Sequence, residues 1–150
     1  MPQTFHILFL CTGNSCRSQM AEGWARTLGG DHVAVESAGI EAHGKSPRAI
    51  AVMQEAGVDI SGQESTLLAR AMLDGTDLVV TVCGHADELC PALPAGVRKI
   101  HWPLPDPARA RGSEAEIMAA FRNCRDDIRQ RVGDFLDTLE RGALDASQSA

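Results

Sequence analysis

The chain has 150 residues, 44% of them hydrophobic and 23% charged, with a net charge of −6. That length fits one globular domain that buries roughly two-thirds of its unfolded surface. The acidic balance, with no basic stripe, argues against a general nucleic-acid partner. The first apolar run, Phe5-His-Ile-Leu-Phe-Leu10, has no basic residues ahead of it and is too short for a signal peptide or a membrane span.

In chain order, that run predicts a first strand over 5–10, followed by the tight loop Cys11-Thr-Gly-Asn-Ser-Cys-Arg17-Ser18 and a helix over 18–28. Val33-Ala-Val-Glu-Ser37 predicts a second strand. The segment Gly39-Ile-Glu-Ala-His-Gly44-Lys45-Ser46 matches the nucleotide-binding pattern G-x4-G-K-S. Pro47 stands where the phosphate-holding helix would already be running, and no apolar strand ends in the Asp that would help hold magnesium. It is read as a loop leading into a helix over 47–56 with Pro in its first turn. A further helix is predicted over 65–73, then strands over 77–82 and 97–101. The last helix is predicted over 113–141, where Ile117, Phe121, Ile128, Val132, Phe135, Leu136 and Leu139 recur at helical spacing. Ser113 and Glu116 open it and Gly142 closes it. Residues 1–142 are read as a single catalytic domain and 143–150 as a flexible, small and polar tail. Strands alternating with helices give an α/β fold with a parallel sheet covered on both faces, a three-layer α/β/α arrangement.

In such sheets ligands bind beyond the carboxyl ends of the strands, where both Cys11 and Cys83 fall. A loop between a strand and a helix gathers backbone N–H groups, and the helix adds its positive dipole end. A tetrahedral oxyanion fits the loop formed by Cys11, Thr12, Gly13, Asn14, Ser15, Cys16, Arg17 and Ser18, with Arg17 holding it through paired hydrogen bonds. The same field favours the nucleophilic thiolate of Cys11, and the Ser18 hydroxyl is placed to donate to it. An acid for a departing oxygen is available in Asp106, whose flanking prolines stiffen the loop after the fourth strand.

Five cysteines, an odd number, point to redox or metal chemistry in a cytoplasmic chain rather than to a structural disulfide framework. Cys83 and Cys90 are seven positions apart; a helix over 84–90 separates them by about 10 Å along its axis, more than the roughly 7 Å between Cα atoms that a disulfide tolerates. Gly84 inside the segment and Pro91 after it make unwinding cheap, so two states are expected, reduced helical and oxidised looped. The alternatives are two buried structural cysteines, or a zinc site using Cys11, Cys16, Cys83 and Cys90, whose spacing fits only in its first half. Cys16 is read as a loop packing residue that oxidation could join to Cys11, and Cys124 as a small apolar residue of the last helix. No histidine has a partner pattern that suggests catalysis, and His85 is expected to be exposed.

These residues resemble the low-molecular-weight protein tyrosine phosphatase superfamily, and more closely its thioredoxin-coupled arsenate reductases. The resemblance spans Cys-Thr-Gly-Asn-Ser-Cys-Arg-Ser-Gln-Met-Ala-Glu-Gly, Glu-Ser-Ala-Gly-Ile-Glu-Ala-His-Gly, Asp-Leu-Val-Val-Thr-Val-Cys-Gly-His-Ala-Asp and His-Trp…Asp-Pro-Ala. It implies a four-stranded parallel sheet, with Cys11 as nucleophile, Arg17 as oxyanion binder, Ser18 as thiolate support and Asp106 as general acid. It further implies that Cys83 and Cys90 are redox shuttles, passing a disulfide from Cys11–Cys83 to Cys83–Cys90. The implied reaction is arsenate to arsenite in arsenic detoxification, with thioredoxin as reductant, no cofactor and a monomeric protein. The alternative is a phosphatase using Cys11, Arg17 and Asp106 alone. Phosphatase relatives carry Tyr after Asp-Pro, where this chain has Ala108, and this chain has no Tyr at all. Asn14, Glu22 and Ser37 match ligands of a potassium site found in some relatives, but Thr66 stands where those have a carboxylate, so a weak monovalent-cation site at most is expected.

Overall fold

Ile7, Leu8, Phe9 and Leu10 are all buried, in succession rather than alternately. A strand apolar on both sides belongs inside a parallel sheet covered on both faces, where neither face of the pleat meets water. In a computed structural model describing residues 4–140, this run forms the central strand β1 (Phe5–Cys11). It lies between β2 (Val33–Gly39) and β3 (Leu78–Thr81), with β4 (Arg98–His101) beyond β3. All three pairings are parallel, so the expected four-stranded sheet is present.

The register matters more than the strand count. Cys11 stands opposite Gly39, Leu10 opposite Thr81, and Thr81 opposite His101. The ladder continues one step past the strands, with Val82 N donating to Leu10 O at 2.9 Å and Trp102 N to Thr81 O at 2.8 Å. The chain therefore leaves β1, β3 and β4 at one edge of the sheet, delivering Cys11, Cys83 and the 102–106 segment together.

Four helices cover the sheet: α1 (Arg17–Gly29), α2 (Pro47–Glu55), α3 (Gly84–Leu89) and α4 (Glu114–Glu140). α4 turns Phe121, Cys124, Ile128, Val132 and Leu136 inward, the face that its apolar spacing predicts. It begins with a reciprocal cap, Glu116 N donating to Ser113 Oγ at 3.1 Å and Ser113 N to Glu116 Oε1 at 3.2 Å. α1 packs beside it through Trp24, whose indole N–H donates to Arg125 O at 3.2 Å. α2 is capped by Ser46, whose Oγ accepts from Ala49 N at 3.2 Å, with Pro47 in the first turn. The 39–46 segment is thus the way into a helix, as the proline indicates. Among the described residues no helix is long and apolar enough to cross a membrane. Gly142 and the 143–150 tail lie outside the described residues.

The helix predicted over 65–73 is not there. Residues 70–73 make a short 3-10 turn, and the stretch before it runs beside the end of β2. Gly39 N donates to Thr66 O at 2.8 Å, Leu68 N to Gly39 O at 2.8 Å, and Thr66 N to Asn14 Oδ1 at 2.6 Å. The Thr66 carbonyl is spent on β2 instead of on a helical turn, and the lateral bonds hold the stretch extended, so tertiary pairing overrides local propensity.

α2 and α4 are joined at the surface by Glu55. Its carboxylate accepts two hydrogen bonds from Arg122, at 2.9 and 2.8 Å, and one from Arg125 at 3.1 Å. The Arg122 fork, helped by Arg125, holds Glu55 down at about 2, against an ordinary value of 4.5. A depressed folded-state pKa contributes stability above the unfolded value and loses it as pH falls through the folded one. Glu55→Gln is therefore expected to lower Tm at about pH 7, and the difference from the parent to shrink steadily as pH falls from about 4.5 toward about 2, as read by thermal unfolding across that range.

Candidate active site

The site is built on the loop between β1 and α1, and most of its shape comes from where the carbonyl groups go. Cys11 O accepts from Ile40 N at 3.1 Å, Thr12 O from Glu41 N at 2.7 Å, and Gly13 O from His43 N at 2.9 Å. Asn14 O accepts from Gln19 Nε2 at 3.1 Å. Four consecutive carbonyls are thereby committed to neighbouring segments, and the oxygen atoms that would repel an anion are occupied elsewhere.

Asn14 holds the turn. It is fully buried and is the sole non-glycine residue with positive φ (49°) among those described. Asn tolerates this left-handed conformation better than most residues. Its backbone N–H donates to Cys11 Sγ at 3.2 Å. Its side-chain NH2 donates to Ser18 Oγ at 2.8 Å and to Ser37 Oγ at 3.0 Å, while its Oδ1 accepts from Thr66 N. Ser18 Oγ lies 2.8 Å from Cys11 Sγ. Because that oxygen already accepts from Asn14, its own hydrogen is available to the sulfur, and a thiolate at Cys11 gains two donors, Asn14 N–H and Ser18 O–H.

Cys11 is 3% exposed and lies in a cleft of about 480 Å³ shared with Arg17, Cys16, Cys83, His85, Asp106 and Arg109. The Arg17 guanidinium donates to Leu104 O at 2.9 Å and stands 3.6 Å from Asp106 Oδ2. Asp106 also accepts from Ala108 N at 3.0 Å, capping the 3-10 turn Pro107–Arg109. Asp106 thus does two things with one side chain: its first oxygen caps the turn and its second faces Arg17.

Cys83 is buried at the start of α3, where its Sγ accepts from Ala86 N at 3.4 Å and stands 3.1 Å from Thr12 Oγ1. Cys90 ends the same helix and is half-buried, and all five thiols are unpaired. α3 is wound, the separated arrangement expected of the reduced segment. Burial pushes the Cys90 thiol up, with Lys99 opposing the shift. Burial also raises Cys16 and pushes Cys124 up to about 12, which suits packing residues.

Asn14, Glu22 and Ser37 do come together: Ser37 Oγ donates to Glu22 Oε1 at 2.5 Å. Burial pushes the Glu22 carboxyl up, opposed by Ser37 and by the Arg26 guanidinium, which lies 2.7 Å away. Arg26 already supplies a positive charge there, and Asn14 turns its NH2 group, not its carbonyl, toward Ser37. This donor set does not fit a resident monovalent cation.

His85 is exposed, as expected. Sequence reasoning missed His43, which lines the cleft and is 3.3 Å from Glu41 Oε1. Its signal lies at Gly13, where a Cβ would fall 2.3 Å from the His43 ring, a contact no spacing rule could show.

The chain matches the model of a family described as low molecular weight phosphotyrosine protein phosphatase over residues 6–144. It is 53% identical over 132 residues to an arsenate reductase of Bacillus subtilis, covering 88% of this chain and 95% of that one. Among solved structures it is similar to an arsenate reductase in the phosphate-binding state, at 36% identity and a TM-score of 0.73, covering 90% of this chain and 98% of that one. It is also similar to a thioredoxin-dependent arsenate reductase of Corynebacterium glutamicum, at 25% identity and a TM-score of 0.75, covering 93% of this chain and 63% of that one.

Alkylation mapped by mass spectrometry checks the sulfur assignments. At about pH 6, Ser18→Ala is expected to slow modification of Cys11 by roughly tenfold, the effect of losing one hydrogen bond to a charged group. Cys124 is expected to stay unmodified even at about pH 8, since its thiol is pushed up to about 12.

Proposed function

Because the chain belongs to the low-molecular-weight phosphotyrosine protein phosphatase family, and within it to the arsenate reductases, we propose that it reduces arsenate to arsenite through Cys11, Cys83 and Cys90, with thioredoxin returning the electrons. The observation that carries this reading is the placing of Cys83 against Thr12, so that a second sulfur borders the cleft of the first. A hydrolase needs the anion loop and an acid; it has no use for a second thiol there.

Arsenate, like phosphate, is a tetrahedral oxyanion, and the carbonyl-depleted loop with Arg17 receives it. The Cys11 thiolate, held by Asn14 N–H and Ser18 O–H, attacks arsenic as Asp106 protonates the departing oxygen, which leaves as water. Cys83 then attacks Cys11 sulfur. The S–As bond breaks, its electron pair stays on arsenic as arsenite, and a Cys11–Cys83 disulfide forms. Cys90 attacks Cys83, returning Cys11 as a thiolate and leaving a Cys83–Cys90 disulfide. A dithiol protein of the thioredoxin class reduces that bond with two electrons. Arg17 leaves its carbonyl partners at Leu104 and Val82 to meet the substrate. A monomer acting in the cytoplasm suits this chemistry, since thioredoxin keeps thiols reduced there.

Cys90→Ser is expected to give one turnover per chain and accumulate a Cys11–Cys83 disulfide, seen by peptide mapping. Steady multiple turnover of that variant with thioredoxin as sole reductant would exclude the relay. The phosphatase alternative is tested in the same preparation: arsenate-dependent thioredoxin oxidation without comparable aryl phosphate hydrolysis is expected.

A further inference from the structure

α3 has six residues, well below the length at which a helix persists by its own hydrogen bonds. Besides the buried Ala86, it is held to the sheet at Asp87. Asp87 Oδ1 accepts from Thr81 Oγ1 at 3.1 Å on β3 and lies 2.9 Å from Lys99 Nζ on β4. Lys99 Nζ also donates to the Asp87 carbonyl at 3.4 Å. Thr81 is fully buried, and with its hydrogen directed at Asp87 its oxygen accepts from His101 Nδ1 at 2.8 Å. Two neighbouring strands thus fix a residue three positions before Cys90, inside the segment that an 83–90 disulfide would close.

Resting on the relay reading above, we propose that Asp87, anchored on Thr81 and Lys99, is a positioning residue that keeps α3 wound and Cys90 apart from Cys83 in the thiol form. The step it governs is internal thiol exchange. The Cys90 thiolate attacks Cys83 of the Cys11–Cys83 disulfide, the Cys83–Cys90 bond forms, the Cys11–Cys83 bond breaks, and the electron pair leaves on Cys11. Closing the 83–90 bond brings Cα atoms about 10 Å apart along a helix to within about 7 Å, which unwinds the turn presenting Asp87 to the strands. The grip exists only in the dithiol form, so its removal favours the disulfide.

The test uses the full chain equilibrated in thioredoxin or glutathione redox buffers, with the 83–90 disulfide quantified by mass mapping. Asp87→Ala is expected to shift the equilibrium roughly three- to tenfold toward the disulfide, a potential lower by about 14–30 mV. Lys99→Gln is expected to shift it the same way by less. In the reduced variants, amides of 85–90 are expected to exchange faster than in the parent. An unchanged or higher potential in both variants, with the parent forming the disulfide normally, overturns the grip while leaving the relay standing. A parent that forms no 83–90 disulfide overturns both. Should Asp87→Ala fail to fold, Lys99→Gln, on the exposed side of β4, carries the same comparison.

Discussion

Every polar group of Asn14 has a hydrogen-bond partner, in a backbone conformation that costs most residues about 1–2 kcal/mol. One side chain reaches Ser18 on α1, Ser37 on β2 and the backbone of Thr66. Three separate parts of the chain therefore meet at the turn that aims a backbone N–H at Cys11. An unpaired buried amide costs on the order of 1–3 kcal/mol, so the arrangement is close to all-or-none: each partner is needed to keep the others satisfied. The loop is rigid because it is saturated, and this saturation leaves the thiolate donors in place before any anion arrives.

That meeting point also explains what was legible in the sequence. β1 follows from its continuous apolar run and the inward face of α4 from its helical spacing, because burial is all that either requires. The cap at Ser113 follows from local chemistry, and the structure places it where it was expected, whereas the cap at Ser46 emerges only in the structure. Residues 65–69 were misread because their conformation is dictated by Asn14 and Gly39, more than 25 positions away in the chain, and no window over 65–73 contains either. Asp106 was legible as a candidate since its prolines mark a stiff turn; that its two oxygens divide between the turn and Arg17 was not.

The parallel sheet solves a problem of assembly. Loops at the ends of β1, β3 and β4 must share an edge without lengthening, and the register achieves this by aligning Leu10, Thr81 and His101 across three strands. A thiol carried by β3 then reaches the cleft of a thiol carried by β1 with no insertion in either loop. α3 stands apart from this: six residues long, it packs Ala86 into the core and ties Asp87 to β3 and β4. The molecule thus combines a saturated loop that cannot shift with a short helix that can. The proposed chemistry asks for both, because an anion must be held still while a sulfur travels.

The contact between Gly13 and the His43 ring reaches beyond packing. Two positions thirty residues apart occupy one volume, so neither can vary freely. A methyl group at 13 would push the His43 ring off the loop and out toward solvent, where half of it already lies. The bare backbone at 13 is thus what lets an imidazole form one wall of the anion cleft.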